Sequence, residues 1–218
     1  MIRIVWDWNG TLLDDVDLCF DCLNDLLKDH GLAPLKDIQA YRQVFGFPIQ
    51  DYYQKVGFDF HKTPYDVLAN EYMDNYQERS YACSLFKDVR ETLHAVKELG
   101  ISQSILSASK KDYLLKQIAL YDIDYFLDSI WGIDDIYAHS KEAIAKHFYQ
   151  TCDPKDEIWF VGDSIHDYEV ANSIDAKCIL VTTGHQSRCR LEQTGVPVVD
   201  TMKESLRVIY EGSNHSRK

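Results

Sequence analysis

The strongest constraint on this chain is a rhythm of short apolar runs, each followed by a longer amphipathic stretch. Residues Ile2–Trp6, 101–106, 128–133, 158–161 and Lys177–Val181 read as strands, and most carry too few polar positions for a sheet with one wet face. Helical periodicity covers 109–120, 140–149 and Ile165–Ser173 between the later runs. Strands alternating with helices predict a parallel α/β sheet with right-handed crossovers, with ligands at the strand ends. At 218 residues and 45% hydrophobic, the chain is large enough to bury such a sheet between helices.

One stretch breaks the rhythm. From residue 14 to about 84 there is no strand pattern, only helical spacing. Val16, Cys19, Phe20, Leu23, Leu26 and Leu27 recur at three- and four-residue intervals, while Asp17, Asp21, Asp25 and Asp29 trace the opposite face. Gly31 and Pro34 punctuate the end of that helix. Further helices are expected over 35–44 and 64–81. A helical insertion of this length after the first strand predicts a cap of residues 14–84 on a core of 1–13 and 85–218. There is no internal repeat, and the polar residues 213–218 are expected to fray.

Charge narrows the partners. Twenty-three Lys+Arg against thirty-five Asp+Glu leave a net charge of −12, which repels phosphate backbones and argues against a nucleic-acid partner. No apolar run approaches the ~20 residues of a membrane span. The N-terminus offers only Arg3 before the first strand-like run, so a cytoplasmic protein is expected. Six cysteines are too sparse for a disulfide framework. Cys19 and Cys22 form a C-x-x-C on an apolar helix face, without the second pair that zinc requires, so packing is their expected role.

Polar residues mark the strand ends. The first run leads into Asp7-Trp8-Asn9-Gly10-Thr11-Leu12, which spends a carboxylate at the end of a buried strand. Asn-Gly is also a turn signal, and this motif alone leaves both readings open. After Ile105-Leu106 comes Ser107-Ala108-Ser109. Ser109 to Asp112 fits a capping box, which accounts for Ser109 and leaves Ser107 free. Lys141 follows Ser140 at an expected helix N-terminus, where a cation opposes the helix dipole and makes sense beside a bound anion. Finally, Gly162-Asp163-Ser164-Ile165-His166-Asp167 closes the fourth strand with two carboxylates four apart. Ser164 and Asp167 also fit a capping box; Asp163 is not explained by it.

Together these four segments, in this order, resemble the four motifs of the haloacid dehalogenase superfamily. The resemblance spans the whole chain, and the helical insertion lies where its phosphoglycolate-phosphatase-like members carry a cap. It implies a Rossmann-like parallel sheet core with an inserted all-helical cap domain. It also implies Mg²⁺-dependent hydrolysis of a small phosphorylated metabolite through an aspartyl-phosphate intermediate. Asp7 would be the nucleophile. Mg²⁺ would be held by Asp7, Asp163 and the backbone carbonyl of Asn9, with Asp167 orienting a metal-bound water or bracing Lys141. Ser107 and Lys141 would grip the transferred phosphoryl oxygens. Gly46-Phe47-Pro48 resembles the substrate-reading loop of capped members and fits a plain inter-helix turn equally well. Gly46 and Phe47 are therefore substrate-binding candidates. One or two of the seven tyrosines in the insertion are expected to line a substrate pocket, and His166 is expected to be a solvent-facing loop residue. A monomer or homodimer is expected.

Asn9 departs from the pattern. Phosphatases of the superfamily usually carry a second Asp here, which protonates the leaving oxygen and then deprotonates the attacking water. An amide cannot trade protons at neutral pH, and general acid–base help is worth ~10²–10⁴ in rate. Three accounts stay open. The leaving group needs little protonation or takes its proton elsewhere, from His166 or a cap residue. The position was altered to trap a complex. Or the chain is a catalytically impaired or inactive protein that binds phosphorylated ligands. A phosphomutase and a metal-free dehalogenase are disfavoured, the first by the missing Asp, the second by the carboxylates at 163 and 167.

Overall fold

A computed structural model describes residues 1–133 and 141–215. The first strand, β1 (Ile2–Trp6), lies at the centre of the sheet, and a two-residue strand, β2 (Leu13–Asp14), follows it. Four helices come next: α1 (Val16–Asp29), α2 (Ile38–Val44), α3 (Ile49–Lys55) and α4 (Tyr65–Ser80). The chain returns through β3 (Ser84–Leu85) and α5 (Val89–Glu98) to β4 (Ser102–Lys110), α6 (Lys111–Ala119) and β5 (Ser129–Ile133). Beyond it run α7 (Lys141–Gln150), β6 (Glu157–Gly162), α8 (Ile165–Ser173), β7 (Lys177–Val181), α9 (Arg188–Leu191), β8 (Val198–Val199) and α10 (Met202–His215).

Six strands form one parallel sheet in the order β5-β4-β1-β6-β7-β8. The chain moves outward from β1 in one direction through β4 and β5, then in the other through β6, β7 and β8. That reversal opens a crevice at the C-terminal end of β1. The strands are buried on both faces, which is why they read as near-continuous apolar runs. Ile4 and Trp6 join Ile105, Val161 and Leu93 on one side, while Val5 joins Phe160, Leu180 and Phe148 on the other.

The helical insertion has its own core. Val16, Cys19, Cys22, Leu23, Leu26 and Leu27 pack on Tyr41, Tyr52, Tyr53, Leu68 and Tyr76. Cys19 and Cys22 are free thiols in that core, as the packing expectation holds. Gly31, at φ 68°, closes α1: its N–H reaches Lys28 and the next N–H reaches Leu27. The insertion is joined to the sheet by an antiparallel ribbon in which Leu13 pairs with Leu85 and Asp14 with Ser84.

Several elements differ from the sequence reading. Helix α3 was not expected; it is seven residues long and too short for a periodic signal. β8, α5 and α10 were likewise not singled out. β4 continues to Lys110, so Ser109 lies in a strand, and α6 starts without a side-chain cap bond. The capping box expected at Ser109 is therefore absent: the strand shifts register after Leu106 and pairs Lys110 with Ile133, and that pairing outweighs the local cap. Ser140, the expected helix start, lies outside the described residues, and α7 is described from Lys141. The expected fraying from 213 gives way to helix, since α10 runs to His215 and Ser213 Oγ donates to Glu157; residues 216–218 lie outside the described residues. No helix among the described residues is long and apolar enough to cross a membrane.

Candidate active site

Two strand ends, one residue within a third strand and one helix start meet in the crevice. Asp7 follows β1, and its N–H donates to Val161 O on β6 at 2.8 Å, so sheet pairing extends to the carboxylate itself. Asp163 follows β6, Ser107 lies on β4, and Lys141 opens α7. All four are buried. Lys141 Nζ donates to Asp7 Oδ1 at 2.5 Å and to Asp167 Oδ1 at 2.6 Å. A cation at a helix start is thus balanced by two carboxylates.

Asp167 serves two roles at once. Its Oδ2 accepts the N–H groups of Asp163 and Ser164 and the Ser164 hydroxyl, completing the capping box of α8, while Oδ1 holds Lys141. Gly162 permits this approach, because a Cβ there would sit 2.3 Å from Asp167 Cγ. Thr11 Oγ1 bridges Asp7 Oδ2 at 3.4 Å and Asp163 Oδ1 at 3.3 Å. Asp163 Oδ2 accepts the His185 N–H at 2.6 Å.

Three buried carboxylates share one ammonium here, and the imbalance shows in their acidities. Burial pushes Asp7 up to about 8 and Asp163 up to about 6, with neighbouring carboxylates adding to both; Lys141 opposes the shift of Asp7, and His185 is the main group opposing that of Asp163. Asp167 goes the other way: burial works against its charge, yet Lys141 and Ser164 hold it below the usual carboxylate range. Its oxygens are satisfied, whereas those of Asp7 and Asp163 retain capacity.

Beside this floor sits a second polar cluster that the sequence reading missed. Asn9 Nδ2 donates to Asp15 Oδ2 and to Tyr76 Oη, each at 2.8 Å, while Asn9 Oδ1 accepts from Ser109 Oγ at 2.7 Å. Asp15 also accepts the Tyr76 hydroxyl at 2.8 Å and the Gly10 N–H at 2.9 Å, and faces His185 Nε2 at 3.4 Å. His185 Nδ1 lies 2.9 Å from Tyr41 Oη. Burial opposes charge on both partners, yet each stabilises the other: Asp15 is held below the ordinary carboxylate range and His185 above the ordinary imidazole range. Cys19 approaches the same group, but burial raises its thiol and Asp15 is already saturated with donors.

Above both clusters lies a cavity of about 180 Å³, lined by Asp7, Asn9, Ser107, Lys141 and Asp163 below and by the helical insertion above. Phe47 lines it and stacks on His166 at 4.5 Å between ring centroids. Gly46 does not line it: it packs toward Arg190 and Gln186, the place of an inter-helix turn. His166 is not a solvent-facing loop residue either; it sits in the first turn of α8 under Phe47, 14% exposed. The expectation of one or two cavity tyrosines is too low, since Tyr52, Tyr53, Tyr65, Tyr72, Tyr76 and Tyr81 all line the space. The insertion folds its aromatic core around the opening, so core and cavity wall are the same residues.

The sequence model of the haloacid dehalogenase-like hydrolases matches residues 4–181, from β1 to the end of β7. The chain belongs to this family. Among curated relatives of this hydrolase, a phosphoglycolate phosphatase of Pseudomonas putida is 24% identical over 84% of this chain and 70% of that protein. A pyrophosphatase PpaX of Halalkalibacterium halodurans is 22% identical over 75% of each. The crystal structure of a predicted phosphatase from Clostridium acetobutylicum superposes with a TM-score of 0.81 at 18% identity, covering 96% of this chain and 98% of that one. At that identity the likeness establishes the fold.

Proposed function

We propose that this hydrolase is a Mg²⁺-dependent phosphatase of small phosphomonoesters, with Asp7 as nucleophile. The observation that carries the reading is Lys141, buried between Asp7 and Asp167 on the floor of a cavity that is also lined by Ser107 and Asp163. The family membership and the phosphatases among its relatives support it.

The donor set fits Mg²⁺. Carboxylate oxygens of Asp7, Asp163 and Asp167 lie within 4.8 Å of one another, all are oxygen, and their charge exceeds that of Lys141. Because Asp167 is saturated, Asp7 and Asp163 with the backbone carbonyl of Asn9 would hold the ion, and Asp167 braces Lys141. When bound, the ion supplies positive charge against the phosphoryl oxygens.

An Asp7 oxygen attacks phosphorus, the bond to the ester oxygen breaks, and that oxygen departs with the electron pair. Water then attacks phosphorus, the bond to Asp7 breaks, phosphate keeps one proton of the water as its new hydroxyl, and the other passes to solvent, which protonates the departed ester oxygen. Lys141 and Ser107 hold the transferred oxygens, and Asp167 fixes the Lys141 ammonium where their charge grows. Residues 14–84 act as a cap on a core of 1–13 and 85–218, with the β2–β3 ribbon as hinge, excluding water and bulky substrates. Phosphate release from a panel of small esters tests the reading. At least one ester is expected to turn over, with loss of activity on adding EDTA or on Asp7→Asn. Activity indifferent to chelation overturns the metal-assisted scheme, and rapid dephosphorylation of a folded phosphoprotein overturns the closing cap.

A further inference from the structure

The cavity wall does not suit a second anionic group. Phe47, Tyr52, Tyr72, Met73, Tyr76 and Tyr113 surround the space above Asp7, and no arginine is among the described residues that line it. The nearby Arg42 and Arg190 donate instead to backbone carbonyls of Thr183, Arg42 and Phe45. Of the lining cations, Lys141 is held by Asp7 and Asp167, and His185 is paired with Asp15. Lys110 lies with its Nζ 5.6 Å over the Tyr113 ring. A carboxylate or second phosphate entering here would lose its hydration beside Asp7, Asp15 and Asp163, with Lys110 as the lining cation not held by a carboxylate. An aromatic ring would exchange water for ring and thioether contacts.

The second observation concerns the leaving oxygen. The Asn9 amide replaces a carboxylic acid, and its Nδ2 hydrogens are taken by Asp15 and Tyr76. A group that departs as a stable anion avoids that deficit. A phenol, with a pKa near ~10, leaves without a proton far more readily than an alcohol. The wall and the amide are separate features, and both select the same chemistry.

We propose that the substrate class is a small aryl phosphomonoester: one flat ring, one phosphate, no further anion. This rests on the phosphatase reading above and refines it. The aryl oxide leaves with the electrons of the P–O bond as Asp7 bonds to phosphorus, and takes its proton from solvent after release.

Four esters separate the two causes: phenyl, benzyl and ethyl phosphate, and phosphoglycolate. Benzyl phosphate keeps the ring but has an alkyl leaving oxygen, so the ring should appear in KM and the leaving group in kcat. Burial of a ring should lower the KM of benzyl phosphate about tenfold or more below that of ethyl phosphate. Phenyl phosphate should combine that KM with the highest kcat. In parallel, calorimetry with Mg²⁺ present should show phenylphosphonate binding more tightly than phosphonoacetate. Phosphoglycolate matching phenyl phosphate in kcat/KM, or phosphonoacetate matching phenylphosphonate in affinity, overturns the substrate class while leaving a phosphatase. If no ester turns over, the phosphatase reading fails, and calorimetry alone decides whether the cavity selects an aromatic anion.

Discussion

The two halves of the site treat buried charge in opposite ways. On the floor, Asp7 and Asp167 share the Lys141 ammonium while Asp163 leans on the His185 backbone N–H and the charge of its ring, and burial still leaves Asp7 and Asp163 raised. On the leaving-group side, Asp15 meets His185, Asn9, Tyr76 and Gly10 and is held below its ordinary range. One half carries more negative than positive charge, which the proposed cation would offset; the other is complete as it stands. A complete network rigidifies its members, so Asn9 is fixed in place with no proton to give. The proposed mechanism draws its reactivity from the unbalanced half and its selectivity from the closed one.

The largest test of this contrast removes the ammonium that Asp7 and Asp167 share. Lys141→Ala leaves Asp7 and Asp167 buried and unpaired, and breaking such a pair costs about 3–5 kcal/mol of stability. Under the proposed mechanism turnover should fall by several orders of magnitude, because Lys141 is the group proposed to hold the phosphoryl oxygens. Denaturant melts and kcat on the same preparation measure both. A fully stable, active variant would show that the floor does not depend on Lys141.

Next comes the closed half. Asn9→Asp should raise kcat on alkyl phosphates by up to ~10²–10⁴, with a smaller gain on aryl phosphates. The new carboxyl would lie where Asn9 Nδ2 now meets Asp15 Oδ2 at 2.8 Å. Like charges at that range force one of the two to keep a proton, the state an acid needs. Asn-Gly pairs deamidate, so peptide mapping of residue 9 must precede the kinetics. Equal alkyl turnover by verified wild type and variant would show that position 9 does not limit the reaction.

The two halves also differ in how far the sequence reveals them. Asp7, Ser107 and Asp163 stand out because a buried parallel strand has little other use for polar groups at its end, and Lys141 because its charge opposes a helix dipole. Asp15 does not stand out: it is the N-cap residue of α1 and reads as an ordinary helix start, yet its side chain makes no cap bond and turns to Asn9 and Gly10. His185 lies in the loop after β7 with no local pattern, and Tyr76 is one of many tyrosines in α4 and its neighbours. Ser109 is hidden because the cap motif around it is locally plausible, and only the pairing of β4 with β5 shows the strand running on. Unlike the floor residues, none of these groups breaks a local expectation of the element it sits on, so nothing in the sequence marks it.

A smaller effect probes the charge deficit through pH. Asp7 and Asp163 are raised to about 8 and about 6, against an unfolded value of ~3.9. Across that window the metal-free native protein holds protons that the unfolded chain has released. Its stability contribution from these groups therefore falls as pH rises. Mg²⁺ requires the ionised carboxylates, so its stabilisation should grow over the same window. That gain reaches about 2.7 kcal/mol at a hundredfold excess over Kd. The Tm gap between Mg²⁺-loaded and EDTA-treated protein should be wider at about pH 8 than at about pH 5. A gap independent of pH would place the ion elsewhere.

The smallest change sharpens the closed half. Tyr76→Phe removes the hydroxyl that donates to Asp15 Oδ2 and accepts from Asn9 Nδ2, while the ring stays in the wall. Asp15 keeps Asn9, Gly10 and His185 and Asn9 Nδ2 keeps Asp15, so neither is stranded, and the loss should be two hydrogen bonds, of which the one to charged Asp15 is worth about 1.5–3 kcal/mol. If Tyr76 only holds Asn9 and Asp15 in place, the ratio of aryl to alkyl turnover should not move, and urea midpoints should carry the whole effect. If Tyr76 instead hands its proton to the leaving oxygen, alkyl turnover should collapse while aryl turnover survives, and the ratio should rise steeply. That outcome would break the comparison itself, because the closed half would then contain the acid that Asn9 lacks.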